Sequence, residues 1–208
     1  DIQAETKDGS WRELAEALFN AECVRFGSFT LASGLKSPIY IDLRRVVSFP
    51  DLFSLVVRAY MRILVGLSFD HIASVPYAAL PIGAVVASGL RASLIYPRKE
   101  AKNHGTGLQV EGSYRSGQST VMLEDVITSG ASVVRAAETL RNAGLIVRDV
   151  VVLVDRQQGG RACLEESGLR LHAVMNIGSL LDELLSASLI DHATFSEVKE
   201  YLDGSIAG

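Results

Sequence analysis

The sequence predicts an α/β fold, a doubly wound parallel sheet flanked by helices, and three observations carry that prediction. Strand-length runs that are apolar on both faces recur beyond residue 70, the purest being Asp149 to Val154. Such runs are what a parallel sheet covered by helices requires. Segments of helical periodicity alternate with them, as in βαβ units. Finally, the segment Val121 to Ser132 passes from an apolar run through Glu124-Asp125 into a small-residue turn and then a helix. In doubly wound sheets that transition, at the carboxyl end of a strand, is where ligands sit.

The elements follow in chain order. Trp11, Leu14, Ala15, Leu18 and Phe19 keep helical spacing, with Ser10 as N-cap. Ser28 to Ser33 and Pro38 to Leu43 are β-branched and aromatic runs separated by Gly34 to Ser37, which predicts two small strands outside the main sheet. Pro50-Asp51 opens an amphipathic helix reaching about Leu64. His71 to Val75 reads as a strand, Pro81 to Arg91 as a helix with proline in its first turn, and Ser93 to Tyr96 as a strand. Thr120 to Leu123 is a further strand, and Ser132 to Asn142 a helix stopped by Gly144. Pro97 to Gln118 has no periodicity and is too long for an ordinary connection, so a mobile lid is expected there.

Bulk properties narrow the function. At 208 residues the chain is read as one domain, with hood elements at about 10–45, a sheet core at about 70–176 and the lid at about 97–118. A net charge of −4 argues against general binding to nucleic acid or to an anionic membrane. No apolar stretch reaches the ~18 residues of a membrane span, and the first ten residues are polar rather than signal-like. Cys23 and Cys163 have no metal-ligand spacing and are expected as reduced thiols, so a cytoplasmic protein is predicted.

Glu124 and Asp125 suit sugar hydroxyls or a metal. The turn Thr128-Ser129-Gly130-Ala131-Ser132, opening a helix N-terminus, suits a phosphate. One ligand that satisfies both is a phosphorylated sugar. The second constellation is Arg98-Lys99-Glu100-Ala101-Lys102-Asn103-His104-Gly105. It is either a solvated surface loop or a set of mobile cations for a charged leaving group, which would lower a barrier if they arrived with the transition state. Lys102 is the principal candidate there. His104 would bind a phosphate or donate a proton, given an ordinary pKa near ~6.5. Arg156 follows a buried-type strand as either a salt-bridge partner or a ligand for a planar anion. Tyr77 is either a core residue or part of the phosphate site.

Position by position, Thr120 to Ser132 resembles the pyrophosphorylated-ribose signature of the type I phosphoribosyltransferases. RKEAKNHG, FGSFTLASGLKSPIYID and Asp155-Arg156-Gln157 together resemble the orotate phosphoribosyltransferase branch of that family, over about Arg25 to Leu202. VPYAALPIG and the C-terminal helices look most like the same half of bifunctional uridine monophosphate synthase, whose decarboxylase activity is expected to be absent from this chain.

The resemblance implies transfer of a phosphoribosyl group from phosphoribosyl pyrophosphate to N1 of orotate. It assigns Glu124 and Asp125 to the ribose hydroxyls, with Asp125, Lys102 and His104 catalytic. It places Thr128 to Ser132 around the 5′-phosphate. Tyr77, Arg98, Lys99, Lys102 and His104 fall at the pyrophosphate, and Tyr40, Thr128 and Arg156 at orotate. It further implies Mg²⁺ held mainly by substrate and water, with no dedicated side-chain ligands, and a homodimer whose lids reach the partner's site. Ala32 and Ala78 stand where many relatives have lysine. The Ala78 change is shared in kind with the synthase-like branch. Ala32 fits weaker substrate binding, compensation by Arg25 or Lys36, or a natural subgroup. The alternatives are a phosphoribosyltransferase for another base and a non-enzymatic regulator that senses phosphoribosyl pyrophosphate.

Overall fold

A computed structural model describes residues 10–30, 34, 36–99 and 109–206. The chain divides into two compact units, one of Asp1–Leu55 with Met175–Gly208 and the other of Val56–Val174. Among the described residues no helix is long and apolar enough to cross a membrane.

The first unit begins with α1 (Ser10–Asn20), then β1 (Val24–Thr30) and β2 (Lys36–Ile41), which form an antiparallel two-stranded sheet of their own. The expected pair of strands outside the main sheet is therefore present, but β1 starts four residues earlier than the aromatic run suggested. Val24 is the reason: it is buried and pairs with Ile41, extending the ladder back toward α1. A 3-10 helix (Leu43–Ser48) follows, capped by the Asp42 side chain, and α2 (Pro50–Leu64) begins in this unit and continues into the second. The C-terminal helices of the first unit are α6 (Ile177–Ser186) and α7 (His192–Ile206). α1 packs on α6, and α7 on β2.

In chain order the second unit contains β3 (His71–Ser74), α3 (Ala79–Leu90), β4 (Ser93–Pro97) and β5 (Val110–Glu111). It continues through β6 (Ser119–Ile127), α4 (Ala131–Asn142), β7 (Ile146–Asp155), α5 (Gly160–Glu166) and β8 (Arg170–Asn176, within this unit through Val174). The six-stranded sheet runs β5-β4-β3-β6-β7-β8, with β4, β3, β6 and β7 parallel and β5 antiparallel to β4. Its core is aliphatic: Ala73, Ile95, Met122, Val150 and Val152 of the strands pack with Val133, Ala137 and Leu140 of α4. The parallel sheet flanked by helices that the sequence predicts is thus present, with β5 as an antiparallel edge strand.

Two strand assignments change in ways that matter for the site. β6 continues to Ile127 instead of stopping at Leu123, because β-branched Val126 and Ile127 keep pairing with Val154 and Asp155 of β7. The stretch from Pro97 to Gln118 also contains a strand: β5 returns along β4 with Tyr96 opposite Glu111 and Pro97 opposite Val110. Two residues are too few to leave a periodic signal.

Candidate active site

β6 delivers the acidic pair while still a strand. On its β3 side pairing ends at Ser74 opposite Leu123, and Val75 N–H donates to the Leu123 carbonyl at 2.9 Å. Glu124 and Asp125 therefore stand one step past the end of β3, where the sheet opens toward solvent. Glu124 is only 7% exposed and Asp125 is half-buried. The Glu124 carboxyl turns back to accept the Asp125 N–H at 3.1 Å. Burial, and then the adjacent Asp125 charge, push the Glu124 carboxyl up to about 9. This upward shift favours the protonated form, in which Glu124 offers a hydroxyl donor as well as an acceptor to whatever binds there.

The turn after β6 is held from behind by α5. Thr128 and Ser129 are exposed, Gly130 is buried at φ +83°, and α4 starts at Ala131. A Cβ on Gly130 would lie 3.2 Å from the Gly160 carbonyl and 3.4 Å from Cys163 Cβ. A Cβ on Gly160 would in turn lie 2.6 Å from the Thr128 carbonyl. Backbone meets backbone at this contact, so both positions require glycine. The loop's other side is left to the first N–H groups of α4, which have no partner inside the helix and point at any anion placed there.

β7 ends beside this loop. Arg156 N–H donates to the Ile127 carbonyl at 3.0 Å, and the buried Asp155 carboxylate accepts the Gln157 N–H at 2.8 Å. Gln157 adopts φ +55°, an uncommon left-handed conformation for a side-chain-bearing residue that the Asp155 bond helps to hold. The turn places half-buried Arg156 immediately after the strand that flanks the acidic pair.

The described part of the cationic segment is organised. Arg98 N–H donates to the Gln109 carbonyl at 2.7 Å, and the Arg98 guanidinium forms an ion pair with Glu111 on β5. The Lys99 ammonium stands 5.1 Å from the centre of the Tyr77 ring, which is 62% exposed just beyond β3. Lys102 and His104 lie outside the described residues, as does Ala32.

Tyr40 belongs to the first unit. There Arg25 stacks 5.0 Å from its ring centre, Phe29 lies 5.5 Å away, and Arg44 donates to its hydroxyl at 3.4 Å. Glu124, Asp125, the 128–132 turn and Arg156 are thus gathered at one end of β6 and β7. Tyr77, Arg98 and Lys99 sit past the ends of β3 and β4. Three contributors escaped the sequence reading: Gly160, Glu111 and Tyr60, whose hydroxyl donates to the Glu124 carbonyl at 2.6 Å. Only Gly160 left a trace, as half of the Gly159-Gly160 pair following a strand.

Among the described residues no group of three or more His, Cys, Asp or Glu side chains is placed to hold a metal ion. Two adjacent carboxylates still fit a hydrated Mg²⁺ that brings most of its ligands with it.

The chain is similar to proteins of known family. A phosphoribosyl transferase domain model matches residues 52–163. The bifunctional enzyme PyrF/PyrE of Nostoc sp. is 40% identical over 183 residues, covering 88% of this chain and 38% of that protein. The orotate phosphoribosyltransferase of Caenorhabditis elegans is 39% identical over 189 residues, covering 90% of this chain and 83% of that protein. The solved uridine monophosphate synthase of Leishmania donovani superposes with a TM-score of 0.85 at 43% identity, covering 93% of this chain and 42% of that one. The chain spans about two-fifths of the length of these bifunctional relatives. It belongs to the phosphoribosyltransferase family, the class that this fold and this site define. Within the family it groups with the orotate phosphoribosyltransferases.

Proposed function

We propose that the chain transfers the 5-phosphoribosyl group of phosphoribosyl pyrophosphate to N1 of orotate, releasing pyrophosphate and orotidine 5′-monophosphate, a step of pyrimidine biosynthesis. The observation that carries this reading is the buried acidic pair running directly into a glycine-locked turn at the start of α4. The turn, Thr128 to Ser132, takes the 5′-phosphate on backbone N–H groups. Glu124 and Asp125 take the ribose 2′- and 3′-hydroxyls, orienting C1 toward the base.

Cleavage of the C1–O bond gives the ribose an oxocarbenium character and the leaving group a growing negative charge. The negative charge of Asp125 favours the first. Arg98, Lys99, Lys102 and His104 neutralise the second, with Tyr77 steadying Lys99. Arg156 and the Thr128 backbone hold the planar, anionic base for attack with inversion. Mg²⁺ beside Glu124 and Asp125 would be held mainly by substrate oxygens and water, and it would supply charge neutralisation for the leaving group. The working form is a homodimer in which each 98–105 segment serves the partner's site. Two free thiols favour the cytoplasm as its compartment.

The test is a spectrophotometric assay of the purified chain with phosphoribosyl pyrophosphate, Mg²⁺ and competing bases. Orotate should be consumed in preference to uracil and adenine. Consumption of another base alone would overturn the orotate assignment, and consumption of none would overturn the enzymatic one.

A further inference from the structure

α2 presents Val56, Tyr60 and Leu64 along one stripe, all buried, with Tyr60 among the largest fully enclosed side chains. A tyrosine enclosed in this way must find a partner for its hydroxyl, or the buried polar group opposes folding. Here the phenol reaches the sheet at one point. It donates to the backbone carbonyl of Glu124 on β6 at 2.6 Å. At this level the β6–β7 ladder passes from Glu124 opposite Val152 to Val126 opposite Val154. The hydroxyl therefore holds β6 at the step that carries the acidic pair.

The neighbouring strand offers no such support. β3 has ended by this level, its last backbone bond being from Val75 to the Leu123 carbonyl. The Glu124 carbonyl is part of the peptide unit whose N–H belongs to Asp125, and that N–H is bonded to the Glu124 carboxyl. Fixing this one peptide plane fixes where both carboxyl groups start. Burial, then the charges of Asp125 and Glu124, drive the phenol's ionisation far above its ordinary range, so it remains a donor across the working pH.

We infer that Tyr60 is a positioning residue for the ribose clamp: its hydroxyl, bonded to the Glu124 carbonyl of β6, sets the peptide plane from which Glu124 and Asp125 reach the sugar diol. The inference rests on the reading of that pair as a ribose site. It requires that removing the hydroxyl weaken recognition of the sugar without weakening the phosphate turn, which is held separately by α5.

The experiment compares wild type with Tyr60→Phe by calorimetric titration with two probes, ribose 5-phosphate and inorganic phosphate, alongside melting curves and steady-state kinetics. Ribose 5-phosphate affinity should fall about tenfold or more, the scale of misplaced binding groups. Inorganic phosphate affinity should be unchanged. In turnover, KM for phosphoribosyl pyrophosphate should rise and KM for orotate stay within twofold. Equal loss of both probes, or loss of neither, would overturn the role. Incorporation of 4-aminophenylalanine in place of Tyr60 keeps a donor for the Glu124 carbonyl and should restore ribose 5-phosphate binding. This arm also serves if the phenylalanine variant fails to fold, and a folded variant of this kind with weak sugar binding would overturn the proposal. Because the titrations need no turnover, a wild type that binds ribose 5-phosphate but leaves orotate untouched would count against the orotate reading while leaving the Tyr60 comparison intact.

Discussion

Glu124 carries a proton that an exposed glutamate would have lost, and that has a consequence for stability. Its folded-state value of about 9 lies above the ordinary value of 4.5. Between those values the unfolded chain has released the proton that the folded chain still holds. The contribution is therefore fully present below the unfolded value and is lost as pH rises through the folded one. Glu124→Gln, an isostere of the protonated acid, removes the penalty. Its melting temperature should pull ahead of wild type between pH 5 and pH 9, by about 2–4 °C for each kcal/mol of linkage. Parallel curves in a scan across that range would show that Glu124 titrates as an ordinary surface acid. Arg156 is a residue-scale matter of another kind. Arg156→Ala should raise KM for orotate about 10- to 100-fold, the value of a charge-assisted contact, and change KM for phosphoribosyl pyrophosphate much less. Equal changes would remove the base-specific role. Both residues were legible in the sequence because titratable groups at a strand end stand out from an apolar run. Tyr60 was not, since a tyrosine at helical spacing reads as core, and its partner is a backbone atom 64 positions away.

At the scale of elements, the site depends on how α5 backs the turn between β6 and α4. Gly160→Ala would set a methyl 2.6 Å from the Thr128 carbonyl and 2.7 Å from Ile127 Cγ1. Neither atom is the free end of a flexible chain, so the turn must shift. A cost of about 1–3 kcal/mol is expected for such overpacking. Affinity for inorganic phosphate should fall with it, read by calorimetry and a melting curve on the same sample. Unchanged phosphate binding in the folded variant would mean that the turn is not braced by α5. The elements themselves were readable where the periodicity is long, as in α2 and α4. They were misjudged where pairing outran the apolar run, as in β1 and β6, or where two residues made a whole strand, as in β5. Strand ends are settled by the neighbour, and a neighbour distant in sequence leaves no local mark.

For the whole molecule, the proposed exchange of cationic segments predicts complementation. Lys102→Ala should lower kcat by orders of magnitude with little change in melting temperature, and Asp125→Asn should also be inactive. Mixing the two should restore part of the activity through hybrid dimers carrying one intact site. Absence of recovery, with subunit exchange demonstrated by a size or tag assay, would argue against a shared site. The alternation of strands and helices made the sheet legible at this scale. Nothing in a single chain's pattern could show which residues two copies share.

The bond from Arg98 N–H to the Gln109 carbonyl bears on that exchange as a leash. The bond fixes the separation of residues 98 and 109. Lys102 is four residues from Arg98, so its Cα can travel about 14 Å from that anchor at full extension. A partner's C1–O bond beyond that radius plus one lysine side chain is out of range. The pinned base thus sets an upper limit on how far apart two cooperating sites can stand, a distance that spin labels on two copies of the chain would measure directly.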